Sequence, residues 1–195
     1  MREALIERKT KETDISVKLC LDGSGKSTVD TGCGFLDHML ELFSKHGGFD
    51  LDVKCCGDTN VDYHHTVEDI AICLGKAFEK AAGDKVGIKR YGSIMLPMDE
   101  ALAMCACDVS GRGMIVYQAD FQTEKIGDFD VQLIHEFFQS LAMNAGITLH
   151  IVEIYGANSH HIAEAMFKGA ARALREAFET DERFAGELPS TKGVL

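Results

Sequence analysis

Basic residues are scarce in this chain. Twenty Lys and Arg stand against 31 Asp and Glu, a formal net charge of -11 over 195 residues. A surface of that sign repels a phosphate backbone, which argues against a nucleic-acid partner. No apolar run reaches the length of a membrane span, and the N-terminus lacks the apolar stretch of an export signal. Seven cysteines are present, yet no Cys-x-x-Cys pair occurs. Cys20, Cys33, Cys55, Cys56, Cys73, Cys105 and Cys107 read as reduced, mostly buried thiols. The expectation is a cytoplasmic protein without membrane or nucleic-acid partners. The rest is ordinary for a globular chain: 46% of residues are hydrophobic, enough for one core or two small ones.

Against that plain background one pattern occurs twice. His64-His65-Thr66-Val67-Glu68 and His160-His161-Ile162-Ala163-Glu164 are both followed by Ala-rich helical segments, 69–82 and 165–178. On a helix the first His and the Glu share a face, while the second His points roughly 100° away. His38 precedes the first motif by 26 residues, and His135 precedes the second by 25. Six of the eight histidines thus form two triples offset by 96 or 97 residues. The register points to an ancestral duplication and to metal binding.

The flanking segments repeat in the same order. Residues 14–21 alternate as a strand, 22–26 form a turn, and 27–31 read as the return strand of a hairpin. A helix is expected over 35–45, stopped by Gly47-Gly48, then a strand over 49–55 and a loop over 57–62 that delivers the first motif. The second half follows with strands over 101–109 and 114–121, a helix over 135–143, a strand over 147–154 and a loop over 156–159. Residues 92–98 offer one more short strand, and 122–130 form a loop with no counterpart in the first half. The predicted fold is α+β and internally duplicated, with repeats over 1–90 and 91–195. Each repeat is a mixed or antiparallel sheet with helices on one face, and the halves are expected to pack through those helices.

The helix geometry pairs His64 with Glu68 on one ion and His160 with Glu164 on a second. His65 and His161 then cross to the other ion, and His38 and His135 complete the two shells. Cysteine is absent from these motifs, so Mn, Fe, Zn, Co and Ni remain open. Three imidazoles and a carboxylate leave open positions on an octahedral ion, as a substrate-binding site requires. Two other classes fit less well: a dinuclear hydrolase working through metal-bound hydroxide, and a non-catalytic metal store, which would favour acidic clusters.

Four segments carry a resemblance: Gly34-Phe35-Leu36-Asp37-His38-Met39-Leu40, Asp62 to Asp69, Ser159 to Lys168, and Pro189-Ser190-Thr191-Lys192-Gly193. Together they resemble imidazoleglycerol-phosphate dehydratase, in its form without a fused phosphatase domain. The resemblance implies a ribosomal protein S5 domain 2-like duplicated fold and two Mn2+ ions per active site. It also implies a 24-subunit homo-oligomer with sites where chains meet. The implied reaction is loss of water from imidazoleglycerol phosphate, giving imidazole acetol phosphate in histidine biosynthesis. Ions on both ring nitrogens would stabilise an imidazolate and make the neighbouring carbon-bound hydrogen acidic; the diazafulvene left by loss of hydroxide then needs a proton back. Glu164 is the first candidate for the base, with Glu12, His46 and Lys168 as helpers that also line the substrate. His38, His64, Glu68 and His160 would contact substrate through the metal sites, and Arg90, Arg112, Ser190 and Lys192 would grip its phosphate. By residue type alone Glu12 is a solvated carboxylate, His46 a helix C-terminal charge, and Lys168 the partner of Glu164 one turn away.

Overall fold

The computed structural model describes all residues, 1–195. The first half runs β1 (Glu3–Lys9), β2 (Thr13–Cys20), β3 (Ser27–Asp30), α1 (Gly34–Gly47), β4 (Asp50–Gly57) and α2 (His64–Ala82). The second runs β5 (Tyr91–Met98), β6 (Ala101–Asp108), β7 (Met114–Gln118), a small ribbon of β8 (Lys125–Ile126) and β9 (Phe129–Asp130), α3 (Gln132–Ala145), β10 (Thr148–Tyr155) and α4 (Ser159–Phe178). A short 3-10 turn at Glu182–Phe184 precedes the tail.

Each half builds a four-stranded mixed sheet, in the orders β1-β2-β4-β3 and β5-β6-β10-β7. The duplicated α+β architecture read from the sequence is present. One local pairing is corrected. Residues 14–21 and 27–31 do not form a hairpin, because β3 pairs in parallel with β4 and β2 lies antiparallel between β1 and β4. The true hairpins are β1-β2 and β5-β6. The helix α1 supplies the long connection that parallel strands need. Residues 3–9 form a strand that the charged N-terminal sequence does not announce, and 91–98 form a full strand of eight residues. Part of the extra loop, 122–130, is the β8-β9 ribbon.

The helices end where the chain permits. Gly48 and Gly146 close α1 and α3 in the left-handed region, at φ +70° and +62°, with N–H groups donated to Ser44 and Ala142 carbonyls. Each sheet alternates buried and exposed residues, most plainly in β6, so one face is apolar. The helices cover those faces and meet between the sheets, α1 against α4 and α2 against α3. A single cluster of 52 buried residues spans both halves. Phe43, Phe49 and Phe78 meet in the first half, and Phe137, Phe138 and Phe167 in the second. Each such buried ring contributes about 1.5–3 kcal/mol. The halves are therefore joined through one apolar interior, and the two helix–helix grooves are related by the duplication.

Candidate active site

The groove between α1 and α4 gathers the chemistry. His38, one turn into α1, places Nε2 3.1 Å from Glu164 Oε1. His160, one turn before Glu164 on α4, places its Nε2 3.0 Å from the same oxygen. The other oxygen, Oε2, accepts from Lys168 Nζ at 2.5 Å. The Glu164 side chain is only 9% exposed. Burial alone would raise its pKa, but the bonds from Lys168, His38 and His160 prevail and hold it at about 2. His46 lies two turns beyond His38 on α1 and is partly buried. Desolvation, then the charges of Lys168 and Arg172, push its pKa below the ordinary value.

The α4 N-terminus is held by Asn158, whose Oδ1 accepts from the His160 and His161 N–H groups. At α2 the corresponding lock is Asp62, which accepts from the His64 N–H at 2.7 Å. Tyr63 beside it donates to Asp128 at 2.7 Å, tying the first motif to the extra loop of the second half.

The second histidine of each doublet turns away from the groove. His65 faces Asp58 through Nδ1 at 3.0 Å and Glu12 through Nε2 at 3.8 Å. His161 faces Glu100 through Nδ1 at 2.7 Å and Asp99 through Nε2 at 3.8 Å. In both, the hydrogen bond to the carboxylate raises the imidazole pKa. His135 packs on Tyr117, with ring centroids 4.9 Å apart. His64 is exposed, and Glu68 is partly buried on the same helix.

Within one chain, His38, His160 and Glu164 are the one triad whose donor atoms all lie within 4.8 Å of one another. Two imidazole nitrogens and a carboxylate oxygen suit a borderline divalent cation and leave further coordination positions for other ligands. His64, His65, Glu68, His135 and His161 do not join them. The phosphate candidates form a separate group. Arg90 donates from Nε to Asp108 at 2.8 Å and from Nη1 to the Pro189 carbonyl at 2.8 Å. Arg112 approaches the same Asp108 at 3.8 Å, and the C-terminal Leu195 abuts Gly111. Ser190 accepts from the Lys192 N–H at 3.2 Å in the tail. This group sits far from the triad. The Arg90 N–H bonds the Ala177 carbonyl, 13 residues beyond Glu164 on α4, and 13 residues of helix span about 20 Å.

Asp58, Glu100, Asp108 and Asn158 are neighbours of the candidate residues that sequence reasoning misses. Asn158 carries a signal, as an N-cap residue two positions before a motif. Asp58, Glu100 and Asp108 carry none, because no repeat spacing marks them.

A family model described as imidazoleglycerol-phosphate dehydratase matches residues 31–174. The enzyme of that name from Methylorubrum extorquens is 58% identical over 195 residues, covering all of both chains. That of Xanthobacter autotrophicus is 54% identical, covering all of this chain and 99% of the relative. The crystal structure of imidazoleglycerol-phosphate dehydratase from Staphylococcus aureus superposes with a TM-score of 0.84 at 38% identity, over 92% of this chain and 99% of that one. The structure of IGPD from Pyrococcus furiosus in complex with (S)-C348 gives 0.83 at 36% identity, over 97% and 100%. With the fold, the length and the family model in agreement, the chain belongs to the imidazoleglycerol-phosphate dehydratase family of hydro-lyases.

Proposed function

We propose that the chain dehydrates imidazoleglycerol phosphate to imidazole acetol phosphate in histidine biosynthesis, at sites shared between copies of itself. The observation that carries this reading is the buried carboxylate of Glu164, faced by two imidazoles and a lysine, in a chain whose residues 31–174 match the family model. His38, His160 and Glu164 would hold one ion with a crossing His65, and His64, Glu68 and His135 the other with a crossing His161. Two Mn2+ ions, when bound, supply the positive charge that makes the hydrogen beside the imidazole ring acidic.

The chain's own groups do the rest. Glu164, ionised at neutral pH, takes the proton from carbon. Lys168 Nζ, bonded to Oε2, offers a proton for return. His46, held neutral, and Glu12, exposed near His65, complete the proton-handling set. Arg90, Arg112, Ser190 and Lys192 grip the phosphate.

The separation of about 20 Å between Arg90 and Glu164 along one helix is too long for a substrate with a three-carbon arm. One chain's phosphate grip therefore serves another chain's triad. Exposed Tyr91, Met95, Met114 and Val116 on the outer face of the second sheet support close association of chains. A 24-subunit shell and cytoplasmic residence, with seven unpaired thiols, belong to the same reading. No helix is long and apolar enough to cross a membrane.

The test is turnover of imidazoleglycerol phosphate with Mn2+, followed by the enol absorbance of the product. Mn2+ bound without turnover would leave a metal protein of another class.

A further inference from the structure

Two carboxylates outside both motifs make the same contact. Asp58, just past β4, places its oxygens 3.0 and 3.2 Å from His65 Nδ1. Glu100, at the β5-β6 turn, places Oε2 2.7 Å from His161 Nδ1. The duplication does not explain this. The strands β4 and β10 are offset by 98 residues, so the counterpart of Asp58 is Gly156, and Glu100 lies elsewhere, in the β5-β6 turn. The two halves thus reach one arrangement from non-equivalent places. A contact built twice by different routes points to a requirement of the second histidine.

The chemistry defines that requirement. An ionised carboxylate only accepts hydrogen bonds, so a carboxylate at Nδ1 places the imidazole proton there. The lone pair then lies on Nε2, on the far side of the ring. Nε2 of His65 and of His161 each faces a space bordered by one more distant carboxylate, Glu12 and Asp99, both at 3.8 Å. Glu100 is itself fixed, since its Oε1 accepts from the Asn158 and Ala157 N–H groups at 2.7 and 3.2 Å. It therefore couples the ring of His161 to the loop that starts α4.

We propose that Asp58 and Glu100 are positioning residues, which hold His65 and His161 in the Nδ1–H form and present Nε2 as the metal-binding nitrogen. The proposal rests on the reading of the doublets as metal sites. It adds two residues that act through the Nδ1 side of the rings. Carboxylates behind a ligating imidazole typically contribute 10- to 100-fold in metal affinity.

The experiment is chelator competition on the Mn2+-loaded full-length protein, with its bound Mn2+ counted at each chelator concentration. Asp58→Ala and Glu100→Ala should each weaken retention about 10- to 100-fold. Asp58→Asn and Glu100→Gln, whose amide oxygen still accepts from Nδ1–H, should recover part of that loss. Unchanged retention in the Ala variants overturns the proposal. So does an equal loss in the Ala and amide variants accompanied by a lowered melting temperature, which would mark a structural role. A wild-type protein that holds no Mn2+ contradicts the metal reading instead, so the two failures are distinguishable.

Discussion

Glu164 carries three hydrogen bonds on one buried carboxyl group, and they fix its charge. With a pKa of about 2 it is ionised at any physiological pH, and it is a weak base. Glu164→Gln should lower kcat at least about 100-fold, measured by product absorbance; near-normal kcat would remove Glu164 from the base role. His46 makes the opposite case. Its pKa is lowered, so folding favours the neutral ring and any stability it contributes is present above the unfolded value near 6.5. That contribution falls as pH drops below about 6.5. An NMR titration should place its midpoint below 6.5 in the folded protein, and a midpoint above it would reverse the assignment. The grouping of His38, His160 and Glu164 was legible because histidine is rare and the register repeats. The groups behind His65 and His161 were not, since a lone Asp58 or Glu100 in an acidic chain has nothing to mark it.

At the scale of elements, α4 is held against the second sheet by absent side chains. A Cβ at Gly92 would lie 2.1 Å from the Ala173 carbonyl oxygen, and one at Gly169 2.7 Å from Cys105 Sγ. Gly92→Ala would force α4 off β5 at a cost of about 1–3 kcal/mol. The melting temperature should fall by about 2–4 °C for each kcal/mol; an unchanged melt would mean that this approach is not tight. The tail is held by bonds from Arg90 Nη1 to the Pro189 carbonyl and from the Gly87 N–H to the Glu187 carbonyl. Deleting Ser190 to Leu195 should raise KM sharply with a smaller change in kcat, and an unchanged KM would separate the tail from the phosphate. Strand segments were readable, but their partners were not. β1 was hidden because it is an edge strand with charges on both faces: Arg8, on the half-buried side, bonds the buried Asp69 at 2.6 Å. Without β1 in view, β3 was the nearest available partner for β2, and a Gly-rich turn between them read as a hairpin. A parallel pairing through α1 leaves no local mark in the sequence.

The whole molecule has two related grooves with different contents. At α1-α4, His46 and Lys168 accompany the histidines and Glu164. At the positions offset by 97 and 96, the α2-α3 groove has Met143 and Ile72. The duplication repeats the His and Glu sets, whereas His46 and Lys168 have no counterparts of their type. The duplication itself was legible, because histidines, glycine stops and strands recur in the same order, the histidines at offsets of 96 or 97. The place of Arg90 was not, because only the folded chain shows it beside the far end of α4. The most direct measurement is turnover of mixed assemblies. Glu164→Gln and Arg90→Ala chains, each impaired alone, are co-expressed in equal amounts and assayed at limiting substrate. Sites that draw Glu164 and Arg90 from different chains should recover about one quarter of wild-type activity by random assembly, whereas activity no higher than that of the two parents would contradict a site built between chains.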